Sequence, residues 1–179
     1  MRRFSANYIF PINGMPIKNG IVVVDNDNTI TEIINPQGNI KEYASMEFHN
    51  GIIVPGFVNA HCHLELSHLK GKIGKASGIA QFVSNVREYR NVDRVDIDNG
   101  INQAFKTLKA NGTIAVGDIC NTTDTLNAKL ESDILFHNFI ELFGLNTVDA
   151  KDRFHAALEL LRNFQDSTCD TSSSLTPHA

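Results

Sequence analysis

Pro55-Gly56-Phe57-Val58-Asn59-Ala60-His61-Cys62-His63-Leu64 closes an apolar run that begins at Ile52. The run is short, rich in Ile, Val and Phe, and bare of charge, which predicts a strand buried on both faces, as in a parallel sheet. Side chains two apart on a strand share a face, so His61 and His63 converge while Cys62 points the other way. Two neutral imidazoles side by side suit one borderline metal such as zinc. Chance alone supplies a His-x-His pair in roughly a quarter of chains with seven histidines in 179 residues. The apolar strand in front of the pair gives it weight, because burying two imidazoles there is costly unless something binds them.

Downstream of the pair, helical and strand patterns alternate. Ile79, Phe82, Val83 and Val86 share one helical face, and Ile97, Ile101, Ala104, Phe105 and Leu108 form a second stripe closed by Asn111-Gly112. Strands are predicted over 113–119 and 133–141. A helix follows, with Phe154, Ala157, Leu158 and Leu161 inward and Asp149 as its cap, and then a last strand through Ser173-Ser174-Leu175-Thr176-Pro177. This alternation implies βαβ units around a parallel sheet. About four such strands are present, whereas a closed (β/α)8 barrel takes about eight strands and about 250 residues. The expected fold is therefore α/β: the N-terminal half of a TIM-type barrel over residues 55–179, truncated after strand four. It is preceded by a small β module over 1–54, part of a composite β-sandwich. That module reads as strands 7–10, 20–25 and 29–34 joined by turns rich in Asn, Gly and Pro, and nothing in it is catalytic in character.

Composition bounds the partners. With 42% hydrophobic and 20% charged residues the chain is of ordinary globular make-up, and its net charge of −4 with scattered Lys and Arg argues against nucleic acid or an anionic membrane. No unbroken apolar stretch follows Met1-Arg2-Arg3, so neither a signal peptide nor a spanning helix is expected. Cys62, Cys120 and Cys169 are few, widely spaced and free of any CxxC pair, which fits reduced thiols and a cytoplasmic setting.

The run 55–64 resembles the first-strand signature of the amidohydrolase superfamily, and its extension Glu65-Leu66-Ser67-His68-Leu69-Lys70-Gly71 resembles the deaminase and chlorohydrolase branch. That branch includes guanine, cytosine, S-adenosylhomocysteine and aminofutalosine deaminases, and His-Leu-Glu-Leu-Ser is similar to the last of these. Gly112-Thr113-Ile114-Ala115-Val116-Gly117-Asp118 resembles the second barrel strand and Phe139-Ile140-Glu141-Leu142-Phe143-Gly144 the third. Thr176-Pro177-His178-Ala179 resembles the fourth, where the branch reads Pro-His-Ala-Pro-Tyr. The resemblance implies that His61 and His63 bind metal and that His178 contacts substrate. A bridging carboxylated lysine would stand at 178 in binuclear members, so one divalent metal is expected, zinc with iron as the alternative. It implies further ligands and proton-moving groups on strands five and beyond, none of which this chain contains, and no residue here is assigned to proton transfer.

Other residues carry two readings each. Glu65 either touches a substrate hydroxyl or ring nitrogen or is a loop residue behind the histidines, and it is kept as a substrate-binding candidate. Asp118 either hydrogen-bonds His61 or His63 or caps a turn, and Glu141 shares that ambiguity. His49 reads as a turn neighbour, His68 as a loop residue, and His137 and His155 as packing or surface residues. The first functional expectation is a metal-dependent hydrolase that deaminates a nucleobase, nucleoside or related small heterocycle with a metal-activated water. The second is a truncated, non-catalytic fragment that works only with a missing C-terminal half, a partner chain or a second copy of itself.

Overall fold

The computed structural model describes residues 1–39, 42–74, 78–144, 147–167 and 172–178. The chain divides into two compact units, Met1–Gly56 and Phe57–Ala179. In the first, β1 (Arg2–Ile9) pairs antiparallel with β2 (Ile17–Lys18) and β3 (Ile21–Val24), and β3 pairs with β4 (Ile30–Ile34). The fifth strand, β5 (Met46–Ile53), runs parallel to β1 with Arg3 opposite Met46 and Ile9 opposite Ile53. Ile9, Val22 and Val24 form its core with Phe4, Ile17 and Ile53 against them. The expected turn after Val24 is held by the Asp25 carboxylate, which accepts hydrogen bonds from the N–H groups of Asp27 and Thr29. His49, read as a turn neighbour, lies inside β5.

The apolar run from Ile52 to His61 is two strands. Ile52 and Ile53 finish β5, Val54-Pro55-Gly56 belongs to neither sheet, and β6 starts at Phe57 and ends at Cys62. Pro55 has no N–H to give to a ladder, which is reason enough for the break. Residues 75–77, 145–146 and 168–171 lie outside the described residues, and so do Cys169 and Ala179.

In the second unit β6, β7 (Thr113–Cys120), β8 (Leu135–Leu142) and β9 (Ser172–Pro177) form one sheet in chain order, every pair parallel. The connections carry α1 (Gly78–Tyr89), α2 (Arg94–Ala110), the short α3 (Leu126–Leu130) and α4 (Ala150–Ser167). The α2 stripe forms as expected, with Ala104, Phe105 and Leu108 packed on Leu64, Val116, Ile134 and Phe136. Asn111 closes it, its N–H bonded to the Thr107 carbonyl. The α4 stripe is rotated from the expected one. Ala157, Leu160, Leu161 and Phe164 pack on Cys120, Ile140 and Leu175, while Phe154 is exposed. Phe164, fully buried, anchors the helix and shifts its buried face toward the C-terminal half.

Burial on both faces is not what this sheet has. Along β8, Phe136, Asn138 and Ile140 are buried, whereas His137, Phe139 and Glu141 between them are partly open. In β6 even Val58 is 67% exposed. This strand is the end of the sheet, and α1 buries none of its own residues, so one side has helices and the other has none among the described residues. The face partners follow from register: Val116 opposite Phe136, Asp118 opposite Asn138, Cys120 opposite Ile140, and Ile140 opposite Leu175 are all on the helix side.

Two glycines set how closely the elements approach. A Cβ at Gly117 would lie 2.7 Å from the Ala60 carbonyl oxygen, so β7 can approach β6 beside the histidine pair only without a side chain there. A Cβ at Gly100 would lie 2.6 Å from the His68 backbone nitrogen, so α2 seats the turn that follows His63.

Candidate metal centre

Beyond β6 the chain turns into a 3₁₀ segment, Leu64–Leu69, whose entry is fixed by a neighbouring strand. The Leu64 N–H donates to Asp118 Oδ1 at 2.8 Å. The alternatives for Asp118 are thereby resolved: it bonds the backbone next to His63 and neither imidazole. Its second oxygen meets Lys129 Nζ at 2.6 Å, and both side chains are fully buried. Lys129 also donates to Asn138 Oδ1 at 2.7 Å, contacts Cys120 Sγ at 3.3 Å, and lies over the rings of Phe136 and Phe164. Every donor of the ammonium is thus used, which is what a buried lysine requires. Nothing in the sequence points to Lys129; a single lysine on a five-residue helix has no periodic signal.

On the face without helices, His61 and His63 come together as the spacing predicts, and His178 joins them from the end of β9. Ring nitrogens of the three lie within 4.8 Å of one another, and the ring centroids are 5.1 to 5.3 Å apart. His178 is carried there by the sheet, since its N–H continues the ladder to the Leu142 carbonyl. Its Nδ1 is 2.7 Å from Glu141 Oε1. The other Glu141 oxygen accepts from Asn121 Nδ2, and the Asn121 backbone N–H donates to Glu65 Oε2 at 2.9 Å. Glu141 therefore has a definite role, as the partner of His178.

Glu65 is not one of this group. It is buried, and its Oε2 also accepts from the Thr122 N–H and hydroxyl, with Arg90 at 3.6 Å from Oε1. It clamps the loop after β7, and burial pushes its carboxyl above the usual range against the pull of these donors. His68 is buried in the 3₁₀ segment rather than solvated, with neither ring nitrogen hydrogen-bonded among the described residues. His137 reaches two hydroxyls of β9, Ser172 and Ser174, at 2.6 and 2.9 Å. His155 is exposed on α4.

The donor set fits a metal. Three imidazoles converge, and His63 Nδ1 is buried without a hydrogen-bond partner among the described residues, an orphaned lone pair or N–H whose burial is costly. Burial, and then the neighbouring His178, hold the His63 imidazole below its usual pKa, which favours the neutral, metal-binding form. Cys62 faces the helix side against Leu64 and Val116, and burial pushes its thiol up to about 11, so it is a packing residue.

No family model matches the chain. It is 29% identical over 138 residues to an aminodeoxyfutalosine deaminase from a Nitratiruptor species, a match covering 74% of this chain and 34% of the relative. Among solved structures it is similar to the Helicobacter pylori aminofutalosine deaminase bound to methylthio-coformycin, with TM-score 0.69 and 23% identity over 99% of this chain and 44% of that one. It is also similar to a zinc complex of atrazine chlorohydrolase from Arthrobacter aurescens, with TM-score 0.66 and 14% identity over 99% of this chain and 46% of that one. The chain spans about a third of the length of the curated relatives it matches. In sequence it is similar to part of curated deaminases, and in fold to part of a deaminase and a chlorohydrolase.

Proposed function

We propose that this chain supplies the first part of a metal-dependent hydrolase that removes ammonia from a nucleobase, nucleoside or related heterocycle. The observation that carries the reading is the convergence of His61, His63 and His178 at the C-terminal ends of parallel strands, where barrels of this kind do their chemistry. On this reading the four-stranded sheet is half of a (β/α)8 barrel and the five-stranded sheet is part of a β-sandwich. The named activities of the curated relatives, an aminodeoxyfutalosine deaminase and an adenosine deaminase, favour a purine nucleoside or a close analogue as substrate.

His61 and His63 hold one divalent ion, with zinc favoured by the zinc-bound chlorohydrolase neighbour and iron the alternative. Such an ion supplies Lewis acidity that brings the pKa of a water near neutral. The reaction is hydrolytic deamination: water adds to the ring carbon that bears the amino group, a C–O bond forms, the C–N bond breaks, and ammonia leaves with the transferred proton. His178 faces the substrate from β9, and Glu65 shapes that wall by holding Asn121 and Thr122 in place. The groups that move protons would lie in sequence matching the remaining part of the relatives.

A second reading is a chain that binds metal but needs a complementing half or a second copy for turnover. It is favoured by the share of the relatives that the chain spans and by α1, whose Ile79, Phe82 and Val83 are all exposed. Metal analysis and ammonia release from adenine-type nucleosides, both on the purified chain supplied with zinc, test the two together. About one equivalent of metal, lost in His61→Ala and His63→Ala, is expected. Ammonia release would place turnover in this chain itself, and metal without ammonia would favour the second reading. A chain that binds no metal would overturn both.

A further inference from the structure

The histidines stand on one face of the sheet, and the most polar part of its core lies behind them on the other. The geometry points to Asp118, Lys129 and Asn138 as a buried row that positions the histidine strands β6 and β9 from the helix side. The inference rests on the metal reading of His61 and His63 and adds to it what holds them in place.

The row crosses the sheet at one level. Cys62, the residue between the first two histidines, is registered opposite Asp118, Asp118 opposite Asn138, and Asn138 opposite Ser173. Lys129, from α3, joins the two middle members, at 2.6 Å from Asp118 Oδ2 and 2.7 Å from Asn138 Oδ1. Each end of the row then reaches a histidine strand. Asp118 Oδ1 accepts from the Leu64 N–H, one residue past His63. Asn138 Nδ2 donates to Ser173 Oγ at 3.2 Å, on the strand that delivers His178. One ammonium thus ties the peptide after His63 to the strand before His178.

Strand β6 needs this hold. Its ladder to β7 changes register between Phe57 and Val58 and again between Asn59 and Cys62, so regular pairing is interrupted where the histidines begin. Phe57 and Val58 are exposed, so apolar contact does not fix the height of the strand either. His63 has φ −127° and ψ 75°, neither helical nor the extended backbone of a regular strand, so the strand does not dictate how its peptide to Leu64 is turned. The Asp118 carboxylate does. Apolar packing is non-directional, and ladder bonds repeat along a strand, so neither tells one height from another. A buried carboxylate and ammonium do, because any other register would leave a charge without its partner.

The test is zinc and cobalt(II) binding by the whole 179-residue chain, compared between two double variants. Asp118→Asn with Lys129→Met keeps an acceptor for the Leu64 N–H and offers its new N–H donors to Asn138. Asp118→Leu with Lys129→Met removes the acceptor. Both delete the same ion pair, so a role confined to stability would leave the zinc affinity of both folded proteins at the wild-type value. Positioning predicts that the Leu variant loses about 10- to 100-fold in zinc affinity, the usual range for a group that orients a ligand from behind, while the Asn variant stays within about 3-fold of wild type. Ser173→Ala frees the other end alone: zinc affinity holds, and the cobalt-induced shifts of the His178 ring protons move. A further measurement needs no variant and so does not depend on any of them folding. Coupling is reciprocal, so zinc should slow hydrogen exchange of the Leu64 amide in wild type by about 10-fold or more. Equal zinc affinity in the two folded double variants, unmoved His178 shifts in Ser173→Ala, or a Leu64 amide whose exchange zinc leaves unchanged would overturn the inference and leave the metal reading standing. A wild type that binds no zinc would overturn both.

Discussion

The two faces of the four-stranded sheet are made of the same strands and differ in almost everything else. Under the helices, Val116, Phe136, Ile140 and Phe164 surround one charged knot, Asp118 with Lys129, Asn138 and Cys120. On the other face stand His61, His137, Glu141 and His178, all partly open or exposed. The knot is where polar groups are held still, and the open face is where they are left available. Asp118 joins the two, reaching from the helix side to hold the Leu64 N–H next to His63. The histidine strand β6, itself poorly covered, is therefore registered by its neighbour β7.

Breaking the knot should do the most damage. Lys129→Ala leaves the Asp118 carboxylate buried without its ion-pair partner, a loss of about 3–5 kcal/mol in unfolding free energy, measured by denaturant titration. Replacing both partners, with Asp118→Leu and Lys129→Met, should recover part of this. It should still remain about 1–3 kcal/mol below wild type because the Leu64 N–H is then orphaned. Full recovery would mean that the link between the faces contributes nothing.

A smaller effect is expected on the open face. His137→Ala removes contacts to two serine hydroxyls at a half-open site, for a loss of about 0.5–1.5 kcal/mol by the same titration. A cost equal to that of Lys129→Ala would show that the face is covered in solution and would break the comparison.

The smallest effect should come from the surface. Asp133 is exposed, and its hydrogen bond from Lys109 holds its carboxyl below the usual carboxylate range. A depressed carboxyl stabilises the fold above its unfolded pKa and loses that contribution as pH falls through the folded value. The melting temperature of wild type should therefore drop slightly more than that of Asp133→Asn as the pH is lowered below about 4, and the gap should shrink in salt.

These contrasts also show what can be read in the sequence. The pairing of His61 with His63 and the opposite aim of Cys62 follow from strand alternation, and the α2 stripe follows from helical period. The helix-bearing and open faces are not separable in sequence, because an apolar run looks the same whether one side or both are covered; only the neighbours of β6 decide. Phe154 fits the period of α4 as well as Phe164 does, and packing against Ile140 and Leu175 chooses the latter. Lys129, Asn121 and Asn138 carry no spacing signal, since their roles depend on side chains from other strands. Spacing places Glu65 toward the ligand it follows, but its turn in the 3₁₀ segment takes it to the Asn121 loop.

The parallel pairing of β1 with β5 has a consequence of its own for how the chain reaches its native form. Residues 2–9 find one of their partners only among residues 46–53, so the first sheet is bounded by a contact that is distant along the chain. Such contacts cost loop closure before they return any stabilisation, and they slow folding. On a ribosome β1 would stand with one edge unpaired until β5 had emerged, and β5 directly precedes the histidine strand in chain order. Within these residues, the order of synthesis thus has the first sheet closing just as the histidine strand begins to appear.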